Sequence, residues 1–137
     1  MKRSLIALLA FVPLLSFADE HAFGDVTIRA NALSTMQLLP AMATQYGITR
    51  DAKRGLLNVS IEQASHTISA GVTAQVGDLT GHARPLPLRE TAGNGDVDYL
   101  GEFVIDASGT YVFTVTATLP GKSQPFTARF TQDLVVD

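Results

Sequence analysis

The sequence contains no cysteine, which excludes disulfide bonds and a cysteine nucleophile. It also excludes a lipoprotein anchor, because that lipid is attached to a cysteine at the cleavage site. Long apolar runs are equally scarce, since the only one lies within the first fifteen residues. The rest of the chain must therefore fold by packing alone.

The first eighteen residues predict export. Two cations follow the initiator methionine, and an apolar run covers residues 5–15. Ser16 and Ala18 then place small residues at −3 and −1 of a cut before Asp19, which is the pattern of a secretory signal peptide. The run is about half as long as a membrane span requires. We therefore expect residues 1–18 to be the signal peptide and residues 19–137 to be one soluble periplasmic domain.

Cations are few after the predicted cut. Residues 19–137 hold eight Lys and Arg against thirteen Asp and Glu, a balance of −5. Nucleic-acid binding needs a broad basic footprint, and this composition lacks one. With no second apolar run, we expect no membrane insertion after the signal is removed. A polybasic membrane patch is not expected either.

Apolar and polar residues alternate through most of the domain. Such a period of two predicts strands with one face in a core and the other in water. The alternating runs are 26–30, 57–61, 68–76, 97–105, 111–118 and 126–136. Together with a short run near residues 85–90, they predict about seven strands, a number typical of an antiparallel sandwich.

Prolines and glycines predict two further features, an edge strand and a short helix. Pro85 and Pro87 cannot donate ladder hydrogen bonds, so any strand there is short or lies at a sheet edge. Pro40 suits the first position of a helix, and Gly47 suits its end. The sequence therefore predicts one helix of about two turns between these residues.

The segment Gly109-Thr110-Tyr111-Val112-Phe113 indicates the type of sandwich. It resembles the corner of immunoglobulin-like domains, in which a tyrosine hydroxyl bonds back to the preceding backbone. Phe113 stands where antibody domains place a cysteine. We predict an immunoglobulin-like β-sandwich without a disulfide, with Tyr111 largely buried and its hydroxyl bonded near the corner.

Several motifs, in their order, resemble one protein family. They are Phe23-Gly24-Asp25, Tyr46-Gly47-Ile48-Thr49-Arg50, Arg54-Gly55-Leu56-Leu57-Asn58-Val59-Ser60, Pro87-Leu88-Arg89-Glu90, Tyr99-Leu100-Gly101-Glu102-Phe103 and Phe130-Thr131-Gln132. The family consists of small periplasmic proteins of Gram-negative bacteria and is defined only as a domain of unknown function. The resemblance covers residues 22–134. It implies a periplasmic β-sandwich and transfers no catalytic or binding residue.

The processed N-terminus is a candidate metal site. Cleavage before Asp19 would give a chain that begins Asp19-Glu20-His21. A free amine with histidine third offers four nitrogens in a square: the amine, two deprotonated amides and the imidazole. That geometry suits Cu(II) or Ni(II). The alternative is a chance position of one of the three histidines. No other cofactor is expected.

The basic loop at residues 50–54 is the most distinctive charged feature. Arg50, Lys53 and Arg54 are three of the eight cations of the domain. We expect them, together with Arg89, to contact an envelope protein or a small anionic ligand. The alternative is a solvated connector between the helix and the next strand. The proline-rich edge at 85–90 is the second expected contact region.

Catalytic patterns are weak. No Gly-x-Ser-x-Gly elbow occurs. Asp96, Asp98 and Glu102 could supply paired carboxylates, although a solvated face beside a glycine turn is the simpler interpretation. His66 and His82 are expected in exposed loops.

These patterns favour a non-enzymatic periplasmic binding or accessory module. A Cu(II)- or Ni(II)-binding protein is the first alternative, and an uncharacterised periplasmic enzyme is the second.

Overall fold

The computed structural model describes residues 19–93 and 95–136, and the predicted signal peptide lies outside them. The described chain forms two antiparallel sheets. The first sheet contains β1 (Asp19–Phe23), β2 (Val26–Ser34), β3 (Arg54–Gln63), β4 (His66–Thr67), β7 (Arg89–Gly93) and β8 (Asp96–Val104). The second contains β5 (Gly71–Gly77), β6 (Ala83–Leu86), β9 (Gly109–Thr118) and β10 (Phe126–Leu134).

The strand order is β1-β2-β3-β8-β7 in the first sheet, with β4 paired to β3, and β10-β9-β5-β6 in the second. The two inner faces form the main core, as the alternating pattern predicts. Phe113 lies at its centre and is fully buried. Its ring packs edge-on against Phe103 of the first sheet at 5.3 Å between ring centroids, and stacks on Phe130 of its own sheet at 5.1 Å.

The segment between β2 and β3 covers part of the outer face of the first sheet. It contains a 3₁₀ turn (Thr35–Gln37) and helix α1 (Pro40–Tyr46), which confirms the predicted helix. Gly47 ends the helix at φ 68°, a backbone conformation that glycine adopts without strain. Ala43 and Ile48 pack on Leu56 and Leu100 in a second, smaller core.

Ten strands are present in the described residues, instead of the seven predicted. The predicted run 68–76 forms a strand only from Gly71 onward. Ala70 lies outside the ladder, and its N–H donates to the Tyr99 hydroxyl at 2.9 Å. β1 was missed because its residues are mostly polar. The prolines behave as predicted: β6 and β7 lie at sheet edges and are joined through Pro87.

Tyr111 forms the predicted hydrogen bond, and its hydroxyl donates to the Ala107 carbonyl at 2.7 Å. Its side chain packs against the main core, as predicted, although it is not fully enclosed. Its ring lies near that of Phe103, at 6.2 Å between centroids, and also borders a cleft at the end of the sandwich. The corner is therefore held by both the hydroxyl bond and the packing of the ring.

Removal of that hydroxyl tests the corner. We expect Tyr111→Phe to lower the free energy of unfolding by about 1 kcal/mol, the usual net value of one hydrogen bond. Urea unfolding measures the difference. Tyr46→Phe is the matched control, since the Tyr46 hydroxyl forms no hydrogen bond within the described residues. Equal losses in the two variants would show that the corner bond contributes nothing specific.

Candidate functional site

The predicted basic loop is fastened to the 3₁₀ turn by a buried threonine. Thr35 is fully buried, and its hydroxyl donates to the Asp51 carbonyl at 2.9 Å and accepts from the Asp51 N–H at 2.8 Å. Both bonds connect residues sixteen positions apart. The turn and the loop therefore form one fixed unit on the outer face of the first sheet.

Three large apolar side chains are exposed on this unit and on the helix that follows the turn. Met36, Leu39 and Met42 are 47%, 58% and 37% exposed. Met36 belongs to the 3₁₀ turn, Leu39 is the extended residue that precedes α1, and Met42 lies in the first turns of α1. The other strongly exposed large apolar residues in the described chain lie on separate elements: Leu79, Val104 and Val135.

Two predicted cations lie in the loop that Thr35 fastens to the 3₁₀ turn, and one of them contacts the apolar group. The Arg50 Nη2 atom donates to the Met36 carbonyl at 3.1 Å, which sets the guanidinium next to that residue. Lys53 is exposed, and its backbone N–H donates to the Asp51 carboxylate at 2.8 Å. We call Met36, Leu39, Met42, Arg50 and Lys53 the cap surface.

The other two predicted cations are engaged within the protein. Arg54 lies on β3 and forms an ion pair with Glu102 of β8 at 3.5 Å. The Arg89 Nη2 atom donates to the Tyr46 carbonyl at 2.5 Å, at the C-terminal end of α1, where carbonyl groups attract cations. Arg89 therefore borders the cap surface at the far end of the helix, whereas the charge of Arg54 is balanced by Glu102.

The candidate metal-binding segment is part of a strand. Asp19 pairs with Ala30 and His21 with Ile28 in the β1–β2 ladder. Consecutive N–H groups of a strand point to opposite sides, so the Glu20 and His21 amides cannot both face one metal in this conformation. The His21 Nε2 atom is buried and has no hydrogen-bond partner in the described structure. Four-nitrogen chelation would therefore require release of β1 from β2.

The predicted carboxylate group is divided between two places. Asp96 and Asp98 line a polar trough of about 360 Å³ on the outer face of the first sheet. Arg29 crosses the same trough and forms ion pairs with Glu20 at 2.8 Å and with Glu62 at 3.5 Å. Glu102 lies outside the trough and forms an ion pair with Arg54.

Burial raises the pKa of Asp98, and the neighbouring Asp96 charge raises it further. The folded protein then keeps this proton to a higher pH than the unfolded chain does. Stability must therefore fall as pH rises from the ordinary value of 3.8 through the raised pKa, and the cost is complete above it.

We expect Asp98→Asn to be more stable than the unaltered protein at neutral pH, because the substitution removes this cost. The difference should vanish below pH 3.8, where the aspartate is protonated in both states. Thermal unfolding across pH measures it, with the exposed Asp106→Asn as control. A stabilisation that persists unchanged in acid would contradict the assignment to ionisation.

A cleft of about 410 Å³ lies at the end of the sandwich, between the β5–β6 turn and the β8–β9 corner. Two of its polar side chains, Asp78 and His82, contact Thr80. Asp78 accepts from the Thr80 N–H at 2.9 Å, and the Thr80 hydroxyl lies 2.7 Å from the His82 Nδ1 atom. The hydrogen bond from the Thr80 hydroxyl lowers the pKa of Asp78. These contacts shape a turn.

The two remaining histidines are exposed, as expected. His82 lies in the turn, whereas His66 belongs to the short strand β4 and not to a loop. Within residues 19–93 and 95–136, no three His, Cys, Asp or Glu side chains gather in a way that could hold a metal ion.

The comparisons with known proteins identify the family. The family model "Domain of unknown function (DUF4426)" matches residues 20–137. The chain belongs to the DUF4426 family. This confirms the resemblance drawn from the sequence motifs. No curated protein matches the chain.

Solved structures extend the comparison. A DUF4426 family protein of Pseudomonas aeruginosa PAO1, PA0388, is 28% identical with a TM-score of 0.76, over 89% of this chain and 98% of that one. FetP of uropathogenic Escherichia coli is 12% identical with a TM-score of 0.58, over 85% of this chain and 93% of that one. At that identity FetP shows a shared fold and nothing more. No helix among the described residues is long and apolar enough to span a membrane.

Proposed function

We propose that this DUF4426 protein is exported to the periplasm and acts there as a non-enzymatic binding or accessory module. The observation that carries the proposal is the cap surface. It combines projecting apolar side chains with two cations in the loop that Thr35 fastens to the 3₁₀ turn. Binding at such a surface costs the module little conformational entropy, since its backbone is already ordered.

Local charge supports an anionic partner. The domain is acidic overall, yet Arg50 and Lys53 lie within the same fixed loop. Arg89 lies nearby, at the C-terminal end of α1. The single acid of the loop, Asp51, uses its carboxylate to accept the Lys53 N–H. A positive area on an otherwise acidic protein directs an anionic partner to that face.

The proposal is tested by capture of partners from a periplasmic extract. We expect the purified protein to retain a specific envelope component, and Arg50→Gln with Lys53→Gln to lose it. The matched control is Lys122→Gln with Arg129→Gln, which removes the same charge from the second sheet and its β9–β10 turn. Retention by both double variants would overturn the cap surface as the contact site.

The proposal also includes export by a cleaved signal peptide and an immunoglobulin-like type of sandwich. Cleavage after Ala18 would give a chain that begins at Asp19, and the intact mass of the periplasmic protein measures this directly. The Tyr111 hydroxyl bond to Ala107 supports an immunoglobulin-like assignment of the sandwich.

Metal binding at Asp19-Glu20-His21 is the second candidate function. One observation favours it: the buried His21 Nε2 atom has no partner in the described structure, so the imidazole gains little hydrogen bonding in its folded position. The first strand would exchange its pairing with β2 for metal coordination.

A further inference from the structure

We propose that the cap surface binds the anionic surface of a phospholipid bilayer, an inference that rests on the proposed binding function and names its partner. Peripheral binding of this kind needs apolar side chains that reach the acyl boundary and cations that meet the headgroup phosphates. The cap surface supplies both on one unit of the fold.

The shape of the surface favours a bilayer over a small anion. Met36, Leu39 and Met42 project outward, and neither the trough nor the cleft described above includes them. A small ligand needs enclosing walls to bury most of its surface. Projecting apolar side chains can instead become buried by inserting into the acyl boundary of a bilayer.

The composition of the surface suits adsorption to a bilayer. The cap surface consists of three apolar side chains and two cations, bordered by Arg89. A few apolar contacts combined with electrostatic attraction are sufficient for reversible adsorption to an anionic bilayer.

The positions of the charges determine the orientation. Arg50 lies beside Met36, so its flexible stem can lie along the interface while the guanidinium meets a phosphate. The overall balance of −5 repels the rest of the protein from the same bilayer.

Vesicle sedimentation tests the inference with protein purified from the periplasm. Vesicles of phosphatidylethanolamine and phosphatidylglycerol are compared with vesicles of phosphatidylcholine alone. We expect binding to the anionic vesicles only, weakened by salt. Arg50→Gln with Lys53→Gln should lower the partition coefficient about thirtyfold, since each cation near such a surface contributes about 1 kcal/mol, or about fivefold.

The apolar side chains have their own test. Met36→Ser, Leu39→Ser and Met42→Ser together should abolish the remaining adsorption, because the thioethers and the leucine no longer enter the acyl boundary. Leu79→Ser with Val135→Ser is the control, since both residues are at least as exposed and lie away from the cap surface. Lys122→Gln with Arg129→Gln controls for charge. All these positions are exposed, and unchanged thermal unfolding verifies that each variant folds.

The outcomes separate this inference from the proposed function. Equal binding to anionic and neutral vesicles, or equal losses in the control variants, would overturn the bilayer as partner. If vesicles are not bound but a soluble envelope component is captured and then lost with Arg50→Gln and Lys53→Gln, the binding function stands and the lipid inference is wrong. If neither assay responds to these substitutions, both proposals fail.

Discussion

Phe113→Ala is expected to lower the free energy of unfolding by about 3 to 5 kcal/mol, the range for loss of a buried phenyl ring. Phe113 is fully buried and contacts the rings of Phe103 and Phe130, one from each sheet. Its removal leaves a cavity between the sheets that neighbouring rings can fill only in part. The domain has no disulfide to restrict its unfolded chain, so packing carries this stability alone.

Urea unfolding of Phe113→Ala measures the loss. Phe113→Leu should lose less, because the smaller volume change leaves a smaller cavity. Phe126→Ala is the second comparison: its ring also stacks, on Phe23 at 5.0 Å, but lies only half-buried at the rim of the sandwich. A similar cost at Phe113 and Phe126 would contradict the central place of Phe113 in the core.

The regular strands could be predicted because burial on one face leaves a period of two in the sequence. β3 shows this, since Leu57, Val59 and Ile61 are buried and the residues between them are not. β1 could not be predicted in the same way. Its inward residues, Asp19, His21 and Phe23, are only half-buried, so pairing with β2 more than apolar burial holds the strand.

The candidate site was predicted in part for a similar reason. Arg50 and Lys53 are close in sequence, so their cluster is visible without a structure. The pairing of Arg54 with Glu102 joins two strands distant in the chain, and only the register of β3 against β8 reveals it. The contact between Thr35 and Asp51 is equally non-local, and it joins the cations to the apolar group. Charge spacing therefore identified the loop but not the surface.

The processed N-terminus is expected to bind one equivalent of Cu(II), with a large loss of affinity in His21→Ala. Cleavage before Asp19 would free the amine, and the imidazole would complete the four-nitrogen square. Affinity must fall as the pH falls, because protons compete for the amine, the two amides and the imidazole. Isothermal titration and the visible absorption of the Cu(II) complex measure both effects.

The cost of this binding lies in the β1–β2 ladder. Both amides must turn toward the metal, so the pairing of Asp19 with Ala30 and of His21 with Ile28 has to open. We therefore expect Cu(II) to speed hydrogen exchange in β2 at the amides that face β1. One residue added before Asp19 should abolish binding, whereas His66→Ala and His82→Ala should retain it. Binding that survives His21→Ala would place the metal elsewhere, and unchanged exchange in β2 would show that chelation leaves the first strand intact.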